Sequence, residues 1–199
     1  QSLYNTVAIV GPGLIGGSIG MALRRRGLAG RVVGIGRRQV SLDQALEVGA
    51  IDECTLDLEE GVREADLVIL ATPIRAISKL APLAAKAMKQ GAVLTEVSST
   101  KQQVIRTVRG ALEERGDLIF IPTHPMAGSE QRGPLAAAED LFEDSVCIFT
   151  PLAQTPPGAV EDLQTLWEAL GASIHQMGPA EHDAIVASVS HLPHLVASA

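Results

Sequence analysis

Short runs of uniformly apolar residues alternate along this chain with longer stretches that are apolar on one face. Residues 6–10 (TVAIV), 31–35 (RVVGI), 66–72 (DLVILAT), 92–97 (AVLTEV), 118–122 (LIFIP), 146–150 (VCIFT) and 173–177 (SIHQM) read as strands. Between them, 14–27 carries apolar residues at helical spacing and closes on Gly27, and 41–50 forms a second helix with Ser41 as its N-cap. Residues 73–91 read as helix interrupted by Pro82, and 101–115 and 158–170 as further helices. Strands that are apolar throughout, alternating with helices, predict an α/β fold: a Rossmann-like, doubly wound, mostly parallel sheet covered on both faces. The TPLAQTPPG stretch at 150–158 reads as a surface connection. After Gly178-Pro179 the pattern becomes one broad-faced helix that reaches Ala199 without a stop signal. The expected organisation is a nucleotide-binding domain over 1–178 and the first helix of a truncated helical domain over 179–199. The first residue is Gln1, not Met, so the chain is expected to be a piece of a longer gene product.

Composition narrows the classes. Hydrophobic residues make up 46% of the 199, enough for a sizeable core, and no apolar run is long enough to span a membrane. The N-terminus lacks a signal-peptide layout. Cys54 and Cys147 lie far apart and outside any ligand motif, which suits buried thiols in a reducing cytoplasm. A net charge of −7 argues against a general nucleic-acid binder. Charge is also unevenly spread. Residues 1–42 carry Arg24, Arg25, Arg26, Arg31, Arg37 and Arg38 and no acid, so that segment is +6 and the remainder −13. One end of the chain is prepared for an anion, although Arg24, Arg25 and Arg26 also suit a solvated basic face.

The first candidate chemistry is G-x-G-x-x-G, formed by Gly11, Gly13 and Gly16 directly after the first strand and at the start of a helix. That spacing gives a tight turn, close approach of backbone to pyrophosphate, and close helix–strand packing. Leu14 and Ile15 lie in the helix start, whose free N–H groups and dipole favour phosphate. An acid that holds a ribose 2′-hydroxyl is expected about 20 residues further on. Position 36 is Gly36, and Arg37 and Arg38 follow. Removing the acid and supplying guanidiniums favours a 2′-phosphate, since each charge-assisted hydrogen bond contributes about 1.5–3 kcal/mol. NADP is therefore expected as cofactor, with NAD still possible. Ala71, Thr72 and Pro73 end the next strand on the same edge and either line the cofactor cleft or simply close the strand.

Three polar clusters remain. Ser98-Ser99-Thr100-Lys101 follows one strand, Thr123-His124-Pro125-Met126-Ala127-Gly128-Ser129-Glu130 follows another, and Ser190-His191-Leu192-Pro193-His194 sits on the last helix. Ligands of open α/β sheets bind outside the carboxyl ends of the strands, so the first two clusters converge there. His124 suits a general base, because an unperturbed imidazole titrates near ~6.5. Pro125 restricts its backbone to extended conformations. His191 and His194 are i, i+3 and share a helix face. No third ligand with sensible spacing accompanies them, so no metal is expected. His182 is about half a turn out of phase with His191, which leaves its role open. His175 reads as an ordinary strand histidine.

Taken together, VAIVGPGLIGGSIG, ATP, SSTK, THPMAGSE and EHDAIVASVSHLPH resemble, in order, the prephenate/arogenate dehydrogenase family of tyrosine biosynthesis. Pro12 departs from the usual loop, and Gly36-Arg37-Arg38 resembles NADP-using members. The resemblance implies oxidative decarboxylation of prephenate or arogenate, with His124 accepting the ring hydroxyl proton. Ser99 would hydrogen-bond that hydroxyl and help seat the His124 ring, and His194 would contact substrate from across the cleft. His191 and Glu130 are further substrate-side candidates. It also implies a homodimer through a C-terminal helical domain, which supplies a substrate-binding arginine beyond Ala199. Competing readings are another NADP-dependent imine or hydroxy-acid oxidoreductase, a non-catalytic NADPH-binding module and, more remotely, a metallohydrolase.

Overall fold

A computed structural model describes the backbone of residues 2–197 and the side chains of residues 2–188. The elements run β1 (Tyr4–Val10), α1 (Leu14–Arg25), β2 (Ala29–Ile35), α2 (Gln39–Glu47), β3 (Glu53–Thr55), α3 (Leu58–Val62), β4 (Leu67–Leu70) and α4 (Ile74–Ala87). They continue as β5 (Val93–Glu96), α5 (Gln102–Glu114), β6 (Ile119–Pro125), β7 (Val146–Phe149), α6 (Pro157–Ala169), β8 (Ser173–Gln176) and α7 (Pro179–Ala197).

The strands form one eight-stranded sheet in the order β3-β2-β1-β4-β5-β6-β7-β8. Pairing is parallel from β3 to β6, then β7 runs antiparallel to β6 and β8 parallel to β7. Strand order reverses at β1/β4, the topological switch point where ligands of such sheets bind. The alternation of Cβ directions sends Val7 and Ile9 to one face and Ala8 and Val10 to the other, each into its own core. The first core packs Ile19, Leu23, Leu42, Phe142 and Trp167 against the sheet, and Phe142 meets Trp167 edge-on at 5.2 Å. The second packs Ile77, Ala81, Ala84, Val104 and Val108. A sheet buried on both faces is what the continuous apolar strands predict.

Several local features differ from the sequence expectation: α2 begins at Gln39 with Arg38 as its N-cap, so Ser41 lies inside the helix instead of capping it. The helix over 74–87 continues through Pro82 without interruption. Pro82 removes one N–H, but the buried face of Ile77, Ala81, Ala84 and Ala85 holds both halves against the sheet. β3 and α3 were not legible, because three residues at a sheet edge and five in a helix carry too little periodicity. β6 runs on to Pro125 because Thr123, His124 and Pro125 pair with Phe149, Ile148 and Cys147 of the antiparallel β7. Of the two free thiols, Cys147 is buried and Cys54 only half-buried.

Candidate active site

At the switch point, the turn after β1 is built by close backbone contact. Gly11 has φ +88°, and a Cβ there would lie 2.7 Å from Thr72 Cγ2 and 2.9 Å from the Ala71 carbonyl oxygen. A Cβ on Gly16 would lie 2.5 Å from the Gly11 carbonyl oxygen. The glycine turn and residues 71–72 therefore pack directly on each other, and only glycine fits at 11 and 16. Gly13, the N-cap of α1, offers no capping side chain. The first-turn N–H groups of Leu14, Ile15 and Gly16 thus face outward with the positive end of the helix dipole. Thr72 Oγ1 is buried beside this turn without a hydrogen-bond partner. A cradle of free N–H groups with no side chain in the way fits the pyrophosphate of a dinucleotide.

The basic end of the chain sorts itself by pairing. Arg24 bonds Asp52 at 2.7 Å, Arg25 pairs with Glu139 at 3.3 Å, Arg26 with Glu143 at 2.9 Å and Arg31 with Glu53 at 3.1 Å. These four stitch α1 and β2 to their neighbours. Arg37 and Arg38, exposed just beyond the end of β2, take part in none of the ion pairs among the described residues. Gly36 precedes them at the end of that strand, and no carboxylate stands there.

The second half of the site is assembled from side chains. β6 carries His124 to the carboxyl end of the sheet, where the residue is 7% exposed. Its Nδ1 lies 2.9 Å from Nε2 of His182, which is fully buried in the first turn of α7. The other nitrogen of His182, Nδ1, faces Asp183 Oδ1 at 2.8 Å. Asp183 is itself anchored: Oδ1 accepts the Lys101 N–H at 2.8 Å and Oδ2 the Gln102 N–H at 3.0 Å. It thereby caps α5, whose own N-cap residue, Lys101, makes no capping bond. Burial raises the Asp183 pKa, but bonds from Lys101 N–H, His182 and Gln102 N–H outweigh it and hold the carboxyl below its usual range.

Beneath His124 lies a buried ion pair. The Lys101 ammonium and Glu96 Oε1 are in direct contact, both side chains at 0% exposure. Lys101 Nζ also donates to the Thr123 carbonyl at 2.6 Å, while Glu96 Oε2 accepts from Ser98 N–H at 2.8 Å and from Ser98 Oγ at 2.5 Å. Burial pushes the Glu96 carboxyl up and the Lys101 ammonium down; their mutual attraction opposes both. The bond to Thr123 immobilises the backbone immediately before His124. Burial first, then the Lys101 charge and the facing His182 ring, push the His124 pKa down to about 4, with Asp183 opposing. His124 is therefore a neutral imidazole at pH 7, able to accept a proton.

Of the residues singled out from the sequence, Gly11, Gly13, Leu14, Ile15, Gly16, Ala71, Thr72 and Pro73 come together at the switch point, with Gly36, Arg37 and Arg38 at the end of the neighbouring strand β2. Ser99 is exposed on the loop after β5, and Glu130 is exposed in the loop after β6. The His124 ring is held by His182. The side chains of His191 and His194 lie outside the described residues. His175 is exposed on β8. Sequence reasoning missed Glu96 and Asp183, and left His182 open and Lys101 without a role. One signal was available: Glu96 is the one charged residue in the otherwise mostly apolar stretch AVLTEV, and a carboxylate buried there requires a partner.

Residues 19–176 match the family model described as prephenate dehydrogenase, nucleotide-binding domain. The chain belongs to the prephenate dehydrogenase family. Among relatives, a cyclohexadienyl dehydrogenase from Zymomonas mobilis is 36% identical over 197 residues, covering 99% of this chain and 66% of that protein. The solved arogenate dehydrogenase of Synechocystis is 33% identical with a TM-score of 0.86, covering 94% of this chain and 65% of that one. The prephenate dehydrogenase of A. aeolicus, solved with hydroxyphenyl propionate and NAD+, is 32% identical with a TM-score of 0.87, covering 97% and 66%. The chain thus spans just under two thirds of each of these family members. More distant solved structures, such as a 3-hydroxyisobutyrate dehydrogenase from Mycobacterium tuberculosis at 17% identity and TM-score 0.67, share the fold alone.

Proposed function

We propose that the full-length protein carries out the oxidative decarboxylation of prephenate, to 4-hydroxyphenylpyruvate, or of arogenate, to tyrosine, with NADP as hydride acceptor. The observation that carries this reading is His124: a buried imidazole, neutral at pH 7, at the same sheet edge as a dinucleotide cradle. Names borne by similar proteins support the substrate class, since the family members at comparable similarity include both prephenate and arogenate dehydrogenases.

In this reading, the N–H groups of Leu14, Ile15 and Gly16 bind the pyrophosphate, and Gly11 and Gly16 let it approach. Arg37 and Arg38 bind the 2′-phosphate from the position where NAD-selective sites carry an acid. A nicotinamide cofactor held there would supply the acceptor for the hydride lost from C4 of the substrate ring. His124 takes the C4 hydroxyl proton onto Nε2, and the C–O bond gains double-bond character. Loss of CO₂ from the opposite ring carbon then leaves an aromatic ring, which makes the step effectively irreversible. Ser99 hydrogen-bonds the hydroxyl, and Glu130, His191 and His194 belong to the substrate side. A second, helical unit beginning at residue 179 and a homodimer built through it complete the proposal. The two free thiols and the absence, among the described residues, of any helix able to cross a membrane fit a cytoplasmic protein.

The test follows reduced-cofactor absorbance in the full-length protein, with prephenate and with arogenate, each against NADP and NAD. Turnover of either substrate, faster with NADP, is expected. No turnover in all four mixtures, with NADPH still bound, would sink the dehydrogenase reading and leave a binding module. Turnover with NAD preferred would sink the role given to Arg37 and Arg38.

A further inference from the structure

The His124–His182–Asp183 chain fixes more than a ring position. The Asp183 carboxylate can only accept hydrogen bonds, and it is held ionised by two backbone N–H groups of the α5 N-terminus. His182 Nδ1, 2.8 Å away, must therefore be the donor. A neutral His182 with its proton on Nδ1 has a bare Nε2, which can only accept. His124 Nδ1, 2.9 Å from that Nε2, must in turn donate. His124 then carries its one proton on Nδ1 and leaves Nε2 as a lone pair. That is the tautomer a general base needs, and the opposite one would present an N–H to the substrate hydroxyl. The logic is that of a base oriented by a third group, extended by one ring.

We propose that His182 and Asp183 are positioning residues that lock His124 in the Nδ1–H tautomer, so that Nε2 is the proton acceptor. This rests on the role given to His124 above. The same chain also serves the reacting state. When Nε2 gains a proton, His124 becomes an imidazolium beside the Lys101 ammonium, and Asp183, acting through His182, supplies the opposing negative charge. His182 is fully buried and reaches no solvent, so its hydrogen bonds have no exchangeable water to compete with. Among the groups near His124, Glu96 is engaged by Lys101 and Ser98, which leaves Asp183 as the carboxylate aligned with its ring.

The deciding measurement is the ¹⁵N NMR spectrum of ring-labelled histidine in the full-length protein at pH 7, with His124 assigned by its loss in His124→Asn. A protonated Nδ1 and a bare Nε2 are expected. A proton on Nε2 overturns the proposal, and this readout needs neither substrate nor turnover. It therefore separates failure of the tautomer lock from failure of the dehydrogenase reading. Kinetics supply the second arm. His182→Leu should lower kcat about 100-fold while NADPH affinity holds within a factor of two. His182→Gln, whose Oε1 can accept from Nδ1–H, should recover most of that loss. A folded His182→Leu protein with unaltered kcat overturns the proposal; so does a His182→Gln protein no better than His182→Leu.

Discussion

The two ends of this site are made of different material. At β1/β4 the cradle is backbone: a left-handed Gly11, a Gly16 with no room for a Cβ, and three outward N–H groups. At β5/β6/α7 the machinery is side chain: a buried Glu96–Lys101 pair, and a His124–His182–Asp183 chain tethered to the start of α5. Backbone sites write themselves into local sequence, because a turn needs particular residues at fixed offsets. Side-chain sites are assembled from segments far apart in the chain: 58 residues separate His124 from His182, and 82 separate Lys101 from Asp183. Their partners cannot be read from spacing. The two also differ in how they fail. A cradle tolerates little steric change but holds no buried charge, whereas a buried charge network depends on every member being present.

The largest expected effect tests that last difference. Lys101→Met removes a fully buried cation and leaves the buried Glu96 carboxylate without a counter-charge, held only by its bonds from Ser98. Breaking a buried pair by removing one partner costs about 3–5 kcal/mol. Unfolding of the full-length protein in denaturant should therefore move to a much lower midpoint. Replacing both members, Lys101→Met with Glu96→Leu, should recover a large part of that stability while leaving His124 less well held. A single substitution that costs under about 1 kcal/mol would show that the pair is not the keystone of this end.

Legibility follows the same division. The doubly wound sheet was readable because its strands are buried on both faces and therefore apolar throughout, and the cradle because Gly11, Gly13 and Gly16 follow a strand directly. His124 was readable from its place at a strand end. Its partner His182 was not, because helical phase relates residues on one helix and says nothing of what that helix packs against. Lys101 sat in plain view as the end of a polar loop, yet its Nζ turns inward to Glu96 and Thr123. A long side chain beside a strand end has no sequence mark that distinguishes solvent from core. The backbone end can be broken with one methyl group. Gly16→Ala places a Cβ 2.5 Å from the Gly11 carbonyl, and the turn must open to admit it. Overpacking of about 1–3 kcal/mol should appear as a tenfold to hundredfold loss of affinity, equal for NADPH and NADH, in calorimetric titration. Unaltered affinity would remove the turn from the pyrophosphate site.

The smallest effect sharpens the comparison, because it concerns side chains placed at the backbone-built end. Four of the six arginines in the first 42 residues are consumed by Asp52, Glu139, Glu143 and Glu53. Arg37 and Arg38 stand exposed beyond β2 with no such partner among the described residues, and exposed guanidiniums cost little to keep and little to lose for folding. Their substitution should therefore be invisible to stability. Toward a 2′-phosphate they are not interchangeable with solvent, since even one charge-assisted bond shifts binding about tenfold. Arg37→Ala with Arg38→Ala should lower NADPH affinity at least tenfold, leave NADH affinity within a factor of two, and steepen neither loss with salt. Equal losses for both cofactors would place these side chains on the shared pyrophosphate or ribose instead, and the NADP preference would then have no residue to rest on.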